Sequence, residues 1–320
     1  MARRFAVAVL VSLAALALAG IASAREVVLR DSDGRAIRFD VRADADVAWY
    51  AGLLRRAAHG DEIERVTVRI VDWDEIRTRC ASYAAGCYTR RRGNHGTMVV
   101  PAGRSADIAH TVVHEYGHHV DASRRHGGLD EPNGTPLWWK ARGMAFLVGA
   151  QSVRDRYEVG WDRSIGEVFA EDYAYTNLRS RYRIRWLERP SRTVQQAILA
   201  DLGLAEPPVI GTVRPALKPV VITRQGTLAP NGRVAVDFGL LGPNRRVHLV
   251  GTLRGAGPGA GRVAVSCGST FRARALSGGG PTSLVLPRIG PGECEASIVN
   301  TGATAGRFRF TVRLGLPPAD

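Results

Sequence analysis

Two histidines four residues apart, with a glutamate directly after the first, make 114–118 (HEYGH) the stretch of this sequence best suited to chemistry. On a helix, residues at this spacing lie about 40° apart around the axis and about 6 Å apart along it. His114 and His118 can therefore offer two imidazoles to one metal ion. Glu115 can reach a water molecule at that metal without binding the metal itself. The pattern predicts a zinc site, and its alternative is a surface helix with unrelated histidines.

A helix over residues 105–124 is expected to carry this motif. Ser105 is a typical N-cap residue, and Asp107 lies in the predicted first turn. Apolar residues recur at helical spacing beside the histidines, at Ile108, Val112, Val113 and Val120. The periodicity therefore predicts a core-facing stripe next to the two metal ligands.

Residues 97–101 (TMVVP) are expected to form a short strand that ends just before this helix. We predict an edge strand, because an extended peptide substrate can add main-chain hydrogen bonds to a free edge beside a catalytic helix. A purely structural strand is the alternative.

A catalytic zinc site needs a third protein ligand and one open position. The extended pattern HExxHxxGxxH is excluded, because Asp121 and Arg124 stand where it requires Gly and His. Glu167 and Glu171 are four residues apart and share one face of a predicted helix. One carboxylate can bind the metal while the other accepts a hydrogen bond from a ligating imidazole. A solvated acidic face is the alternative for this pair.

The two motifs, 114–121 and 167–171, together resemble the zinc-peptidase domain of the anthrax lethal factor family and, more broadly, the gluzincin metallopeptidases. The resemblance implies an α+β zincin-like domain. It also implies Zn²⁺ on His114, His118 and Glu167, with Glu115 as the general base and Glu171 supporting the ligands.

The sequence departs from this family's pattern at one position. The family places an oxyanion-stabilising tyrosine seven residues before the zinc-binding glutamate, where this chain has Gly160. Tyr157 is the predicted catalytic substitute and Tyr173 a second possibility, although a packing role is the alternative for both. Asp121 is predicted either to orient a zinc ligand or to pair with Arg124 or Arg125.

These residues predict a zinc metalloendopeptidase that hydrolyses peptide bonds of a protein or peptide substrate. Zinc lowers the pKa of a water molecule and polarises a carbonyl, and Glu115 accepts the proton and passes it to the leaving amine. The sequence has no GxSxG motif, which argues against a serine nucleophile on that pattern. Two alternatives stay open: a non-catalytic, toxin-associated binding protein, and a zinc hydrolase of cell-wall amide bonds.

The first 24 residues are predicted to be a secretory signal peptide. Arg3 and Arg4 precede an apolar stretch, and 22–24 (ASA) matches a small-residue cleavage site. The predicted location is therefore secreted or extracellular, with no stable membrane insertion after cleavage; an uncleaved anchor is the alternative. Export permits disulfides, and we favour two pairs because each lies within one region of the chain. The pairs are Cys80 with Cys87 and Cys267 with Cys294.

From about residue 218 the sequence changes to short alternating strands separated by Gly and Pro turns. Cys267 and Cys294 are each in phase with inward-facing apolar residues, so we predict that they link the two sheets of a sandwich. This part is similar to pre-peptidase C-terminal domains. The predicted organisation is a signal peptide (1–24), a zincin-like domain (25–206), a linker (207–217) and an all-β sandwich (218–320).

The charge of the chain is strongly basic and is carried almost entirely by arginine. The net charge is +14, and removal of the signal peptide, which holds two Arg and no acid, gives +12. Because the arginines are scattered in the sequence, no nucleic-acid partner is predicted. Attraction to anionic surfaces or acidic substrates stays open. A monomer is expected.

Overall fold

The computed structural model describes residues 24–315, except 83, 125–132, 151, 156–160, 216, 242–244, 258, 278–279 and 290–291. The predicted signal peptide, apart from Ala24, lies outside these residues, as do Tyr157 and Gly160. The chain divides into two compact units, Met1–His119 and Val120–Asp320. The division falls inside one continuous helix, Ala106–Arg124, which therefore belongs to both units. The predicted boundaries at 206 and 218 stay predictions.

The first unit alternates strands and helices. A hairpin forms around Gly34, whose φ of +82° is a value that favours glycine. Its strands are β1 (Arg25–Arg30), β2 (Ala36–Val41), β3 (Val66–Val71), β4 (Cys87–Arg90) and β5 (Gly96–Pro101). Its helices are α1 (Val47–Arg56), α2 (Trp73–Arg79) and α3 (Ala106–Arg124), with 3₁₀ turns at Asp61–Arg65 and Arg92–Asn94.

The five strands form one mixed sheet in the order β1-β2-β3-β5-β4. The prediction that the strand at 97–101 is an edge strand is wrong. β5 pairs with β3 on one side and with β4 on the other, and all six of its residues are buried. The edge is β4 instead, because the chain returns after α2 to add an antiparallel strand that the sequence did not reveal.

The predicted fold class was an α+β zincin-like domain followed by an all-β sandwich, and its zincin-like part is also wrong. About one third of the chain is helical and one third is strand, with several antiparallel sheets. In the first unit, β2 and β3 are parallel, as are β3 and β5, and each pair is connected through a helix. Parallel pairs require such crossovers, and strands connected through helices in this way are typical of α/β rather than α+β domains.

Tyr50 fixes the chain between β5 and α3, directly before the histidine motif. Its ring is fully buried, and its hydroxyl lies 2.7 Å from the carbonyl oxygen of Pro101 and 3.0 Å from that of Gly103. Burial raises the pKa of Tyr50 to about 12, so the phenol remains a hydrogen-bond donor at neutral pH. The start of the helix that carries the motif is thereby held against α1.

Asp40 joins β2 to β3 through two guanidinium groups. Arg69, its register partner on β3, donates to Asp40 at 2.7 Å, and Arg42 donates at 3.1 Å. Burial by itself would raise the pKa of Asp40, but the hydrogen bonds from Arg42 and Arg69 outweigh it and lower that pKa below its ordinary value.

We expect Asp40→Asn to lower the free energy of unfolding by about 1 kcal/mol at neutral pH. Because the pKa of Asp40 is lower in the folded state, its contribution is complete above the unfolded pKa of about 3.9 and is lost as pH falls through the folded pKa. Urea unfolding at neutral and at strongly acidic pH measures this. Asp74→Asn, which removes an exposed carboxylate paired with Arg77, should change stability little at either pH. An equal loss in both variants would contradict the assignment.

Along the sequence, the helices of the second unit follow α3 and precede the C-terminal strands. The α4 N-terminus is capped by Asp201, whose carboxylate accepts from Thr135 Oγ1 at 2.6 Å and from the backbone N–H of Trp138 at 3.0 Å. Among the described residues, no helix combines the length and apolar character needed to cross a bilayer. The helices are α4 (Pro136–Arg142), α5 (Met144–Gly149), α6 (Ile165–Leu178) and α7 (Arg192–Asp201).

The C-terminal strands form a β-sandwich of two four-stranded antiparallel sheets, in the orders β10-β9-β12-β7 and β11-β8-β13-β6. One apolar cluster takes side chains from both sheets, including Val265 and Ile298 from one and Leu249 and Phe310 from the other. The strands are β6 (Val220–Leu228), β7 (Arg233–Leu241), β8 (Arg245–Arg254), β9 (Gly261–Cys267), β10 (Thr270–Ala275), β11 (Thr282–Ile289), β12 (Gly292–Asn300) and β13 (Gly306–Leu314).

Both predicted disulfide pairs are present, Cys80 with Cys87 and Cys267 with Cys294. Disulfides persist in oxidising, extracellular settings, which fits the expected location. The prediction that the second bridge links two sheets is wrong. Cys267 on β9 and Cys294 on β12 face each other across neighbouring strands of a single sheet, with both residues buried. Phase along each strand indicated the inward direction correctly but could not identify the neighbouring strand.

Candidate metal centre

Helix α3 begins as predicted and presents its apolar stripe to the core. The Ser105 hydroxyl accepts a hydrogen bond from the N–H of Ile108 at 3.2 Å, which satisfies one free donor of the first turn. The four apolar residues predicted for this stripe, Ile108, Val112, Val113 and Val120, are all buried. Tyr116 is buried as well. This packing fixes the rotation of the helix and therefore the direction of its histidines.

Two overlapping groups of side chains can hold a metal ion, and His114 belongs to both. The first group is the predicted one, His114, His118 and Glu167, and its ligand atoms lie within 4.8 Å of one another. The second consists of His110, His114 and Glu171, with the same limit on its distances. The ring centroids of His114 and His118 are 5.0 Å apart, and those of His110 and His114 are 6.0 Å apart.

His110 is the residue that the sequence analysis missed. It lies four residues before His114, so the same helical spacing that identified His118 also places His110 on this face. Glu171, predicted to support the zinc ligands, lies one turn beyond Glu167 on α6 and is fully buried. Its carboxylate also accepts a hydrogen bond from the backbone N–H of Arg183. Three imidazoles on α3 and two carboxylates on α6 are therefore available as metal ligands.

The donor set fits zinc. Imidazole nitrogen and carboxylate oxygen are both zinc ligands, and two histidines with one glutamate leave a fourth position open. Ligand atoms around a tetrahedral zinc lie roughly 3.3 Å apart, so side chains within 4.8 Å of one another need only small rotations to bind it. All of these side chains are buried except that of His118, which is half-buried. Buried carboxylates of this kind require a cation or hydrogen-bond donors.

Glu115 is buried and lies close to Gly86, in the loop that precedes β4. A Cβ atom added to Gly86 would stand 3.3 Å from Cγ of Glu115 and 2.8 Å from Cγ2 of Thr111. Glycine at position 86 therefore permits the backbone to pass close to the proposed catalytic carboxylate. The adjacent Cys80–Cys87 disulfide closes this short loop and restricts how far it can move away from Glu115.

His119 faces away from the candidate metal centre and has a structural role. Its Nε2 lies 2.8 Å from the carbonyl oxygen of Glu62, to which it donates, so its Nδ1 accepts from the Tyr88 hydroxyl at 3.1 Å. Burial lowers the pKa of His119 despite the favourable carbonyl contact. The neutral ring thus joins α3 to the 3₁₀ turn and to β4. The ring of Tyr88 also stacks near His118, with centroids 6.5 Å apart.

The remaining predicted site residues have the following places. The Asp121 carboxylate is buried and accepts a hydrogen bond from the N–H of Gly134 at 2.7 Å. Tyr173 is fully buried, with its ring centroid 6.4 Å from that of Phe169, which agrees with a packing role. Tyr157, the predicted catalytic tyrosine, lies outside the described residues. The oxyanion-stabilising group therefore stays a prediction.

Two surface cavities in the described part of the first unit lie elsewhere. One has a volume of about 340 Å³ and is lined by residues that include Arg65 and Arg91. The other has about 780 Å³ and is lined by residues that include Asp72 and Arg79. Neither cavity is lined by a member of the two candidate metal-binding groups. The candidate site is therefore identified by the types and distances of its ligands, and not by a cavity.

No protein-family model matches this chain, and no curated protein matches it. The solved structures described next each match about a third of it. The CBM36-1 domain of a multidomain xylanase from the hindgut metagenome of Trinervitermes trinervoides is 13% identical, with a TM-score of 0.24, over 32% of this chain and 100% of its own. A carbohydrate-binding module CBM36 in complex with calcium and xylotriose is 13% identical, with a TM-score of 0.23, over 31% and 99%.

A protein of the disulfide-linked pili that form Bacillus endospore appendages is 18% identical, with a TM-score of 0.21, over 31% of this chain and 88% of its own. These three neighbours have β-sandwich or jelly-roll folds, and none is a zincin-like peptidase. TM-scores this low give no information about function.

Proposed function

We propose that this protein is a secreted, zinc-dependent peptidase. The observation that carries the proposal is the grouping of the ligand atoms of His114, His118 and Glu167 within 4.8 Å of one another. When bound there, zinc would supply Lewis acidity that polarises a carbonyl group and lowers the pKa of a water molecule. The two imidazoles and the Glu167 carboxylate would hold the metal and leave one position open.

Glu115 supplies the proton transfer in this proposal. Its carboxylate follows the first ligand on α3, so it can accept a proton from a water molecule in the open position and donate it to the leaving nitrogen. It is nearly excluded from solvent, being 6% exposed.

The free edge of β4 is the proposed place for an extended substrate. Among the strands that the structure describes, β4 pairs only with β5, and Tyr88 on β4 stacks near His118. An extended peptide can add to such an edge through main-chain hydrogen bonds, which is the role first predicted for the strand at 97–101. This supports peptides as the substrate class over small molecules.

Metal analysis of paired variants tests the proposal. We expect Glu167→Ala to lower the zinc content from about one ion per chain to a small fraction, because a three-ligand site loses one ligand. Glu171→Ala is the matched control, one turn away on the same helix, and should retain zinc. Circular dichroism checks the fold of both variants, since both glutamates are buried.

The opposite result, zinc lost only in Glu171→Ala, would assign the metal to His110, His114 and Glu171. Unchanged zinc content in both folded variants would remove Glu167 from the ligand set and with it the proposed centre.

A further inference from the structure

The strands of one sheet in the C-terminal sandwich carry basic residues but no acidic ones. These four strands, β6, β8, β11 and β13, contain arginine but no aspartate or glutamate. The other sheet has the same arginine-rich background but includes Asp237, Glu293 and Glu295. A general coding preference for arginine explains the arginines on both sheets, but it does not explain why acidic residues are missing from only one.

Strand alternation places these arginines on the outer face. Along β13 the apolar residues are buried in the sandwich, whereas Arg307, Arg309 and Arg313 are exposed. On β8, Arg246 and Arg254 are exposed and alternate with buried Val247, Leu249 and Leu253. We call the outward surface of β6, β8, β11 and β13 the basic face, and its exposed arginines are Arg246, Arg254, Arg307, Arg309 and Arg313.

The strand register brings these charges close together. Arg254 is directly opposite Arg307, and Arg313 is opposite His248. Neighbouring strands lie about 4.8 Å apart, and alternate residues of one strand lie about 6.8 Å apart. Like charges directly opposite each other destabilise a sheet. An external anion that bridges them would remove this repulsion.

The side chains between the arginines include hydroxyl and imidazole groups, together with the exposed Val221 and Val285. Thr311 contacts Thr223 across β13 and β6 at 3.1 Å, and His248 contacts Ser283 across β8 and β11 at 2.8 Å. Hydroxyl and imidazole groups can exchange hydrogen bonds with the hydroxyl groups of a sugar chain. At the described outward positions of β6, β8, β11 and β13 there is no Phe, Tyr or Trp, so bases of single-stranded nucleic acid would lack the usual stacking platform.

We propose that the basic face binds an acidic polysaccharide with repeated carboxylate groups. Guanidinium groups bind carboxylates through paired hydrogen bonds, and a row of them matches a polymer with regularly spaced charges. The interleaved hydroxyl groups match its neutral oxygens. Both disulfides of the chain agree with an oxidising compartment, where such polymers occur and nucleic acid is uncommon. This inference is independent of the proposed metal centre.

Binding of the purified protein to polygalacturonate tests the proposal, with neutral dextran and a short DNA duplex as comparison probes. We expect Arg307→Gln/Arg309→Gln to weaken polygalacturonate binding about tenfold at low salt, because two exposed ion pairs are lost. Added salt should weaken the wild-type complex more than the variant complex. The matched control is Arg262→Gln/Arg272→Gln, which removes two exposed arginines from the opposite sheet and should bind like wild type.

Thermal unfolding of both double variants should match that of wild type, since all four side chains are exposed. The proposal is overturned if polygalacturonate does not bind, if both double variants lose affinity equally, or if the Arg307/Arg309 variant keeps full affinity. Tighter binding of the DNA duplex than of polygalacturonate would also overturn it and would assign the basic face to nucleic acid.

Discussion

Glu115→Gln is expected to reduce peptide hydrolysis by about 10²–10⁴-fold while zinc stays bound. Glutamine has nearly the same shape as glutamate, so it can occupy the space beside Gly86 and Thr111 without disturbing α3. It cannot accept and return the proton, however, because an amide is not a useful base near neutral pH. The loss should therefore appear in kcat much more than in KM.

Asp107→Asn is the matched control for this substitution. Asp107 is exposed in the first turn of the same helix, so the change removes one negative charge from α3 without touching the proposed centre. Its activity and zinc content should equal those of wild type. Peptidase activity that survives in Glu115→Gln would show that this carboxylate is not the general base.

The same measurement separates the alternatives left open by the sequence. A non-catalytic binding protein would bind zinc but hydrolyse no peptide even as wild type. A hydrolase of cell-wall amides would act on peptidoglycan fragments and not on ordinary peptides, and it would still require Glu115. Assays of wild type and Glu115→Gln on both substrate classes therefore distinguish all three.

Asp172→Ala is expected to lower the free energy of unfolding by about 3–5 kcal/mol. The Asp172 carboxylate is fully buried on α6, five residues after Glu167. It accepts from Trp138 Nε1 at 2.9 Å and from the Tyr182 hydroxyl at 2.8 Å, and Nε of Arg142 lies 3.0 Å from it. Burial raises the pKa of Asp172, but the Arg142 guanidinium opposes this and favours the ionised carboxylate.

The large expected cost comes from the partner that remains. Arg142 is 5% exposed and stays protonated, so removal of Asp172 leaves a buried positive charge without its counter-ion. Chemical unfolding in the presence of a chelator measures this cost without a contribution from bound metal. Tyr182→Phe removes one donor but keeps the ion pair, and should cost only about 1 kcal/mol.

A double variant distinguishes charge burial from simple loss of packing. Arg142→Met/Asp172→Leu removes both charges and should be more stable than Asp172→Ala alone, because no unpaired ion is left in the interior. If the double variant were instead less stable by the sum of both single losses, the two residues would not be coupled. Asp172 would then contribute through packing.

The local parts of the candidate centre could be predicted from the sequence because they depend on residues close together in the chain. Helical spacing brought His114 and His118 to one face, and Ser105 marked the start of the helix. His110 could have been found by the same spacing. The pairing of Cys80 with Cys87 was also predictable, since only a short loop separates them.

The arrangement of elements could not be predicted, because it depends on which distant segments pack together. Glu167 and Glu171 share one helix face, so sequence periodicity could not separate a ligand from a supporting carboxylate. Residues 97–101 were correctly expected to form a strand. The order of strands in the sheet, which places β5 inside and β4 at the edge, could not be predicted. Parallel pairing across two helices, which overturned the expected fold class, likewise leaves no local signal in a strand sequence.

The basic face shows most clearly the difference between what the sequence determines and what only the tertiary structure decides. The sequence determined that this protein is rich in arginine and that its C-terminal strands alternate apolar and polar residues. Those arginines are scattered along the chain. Only the tertiary structure placed Arg254 opposite Arg307 and gathered the charges on one surface, because strands distant in sequence become neighbours through backbone hydrogen bonds.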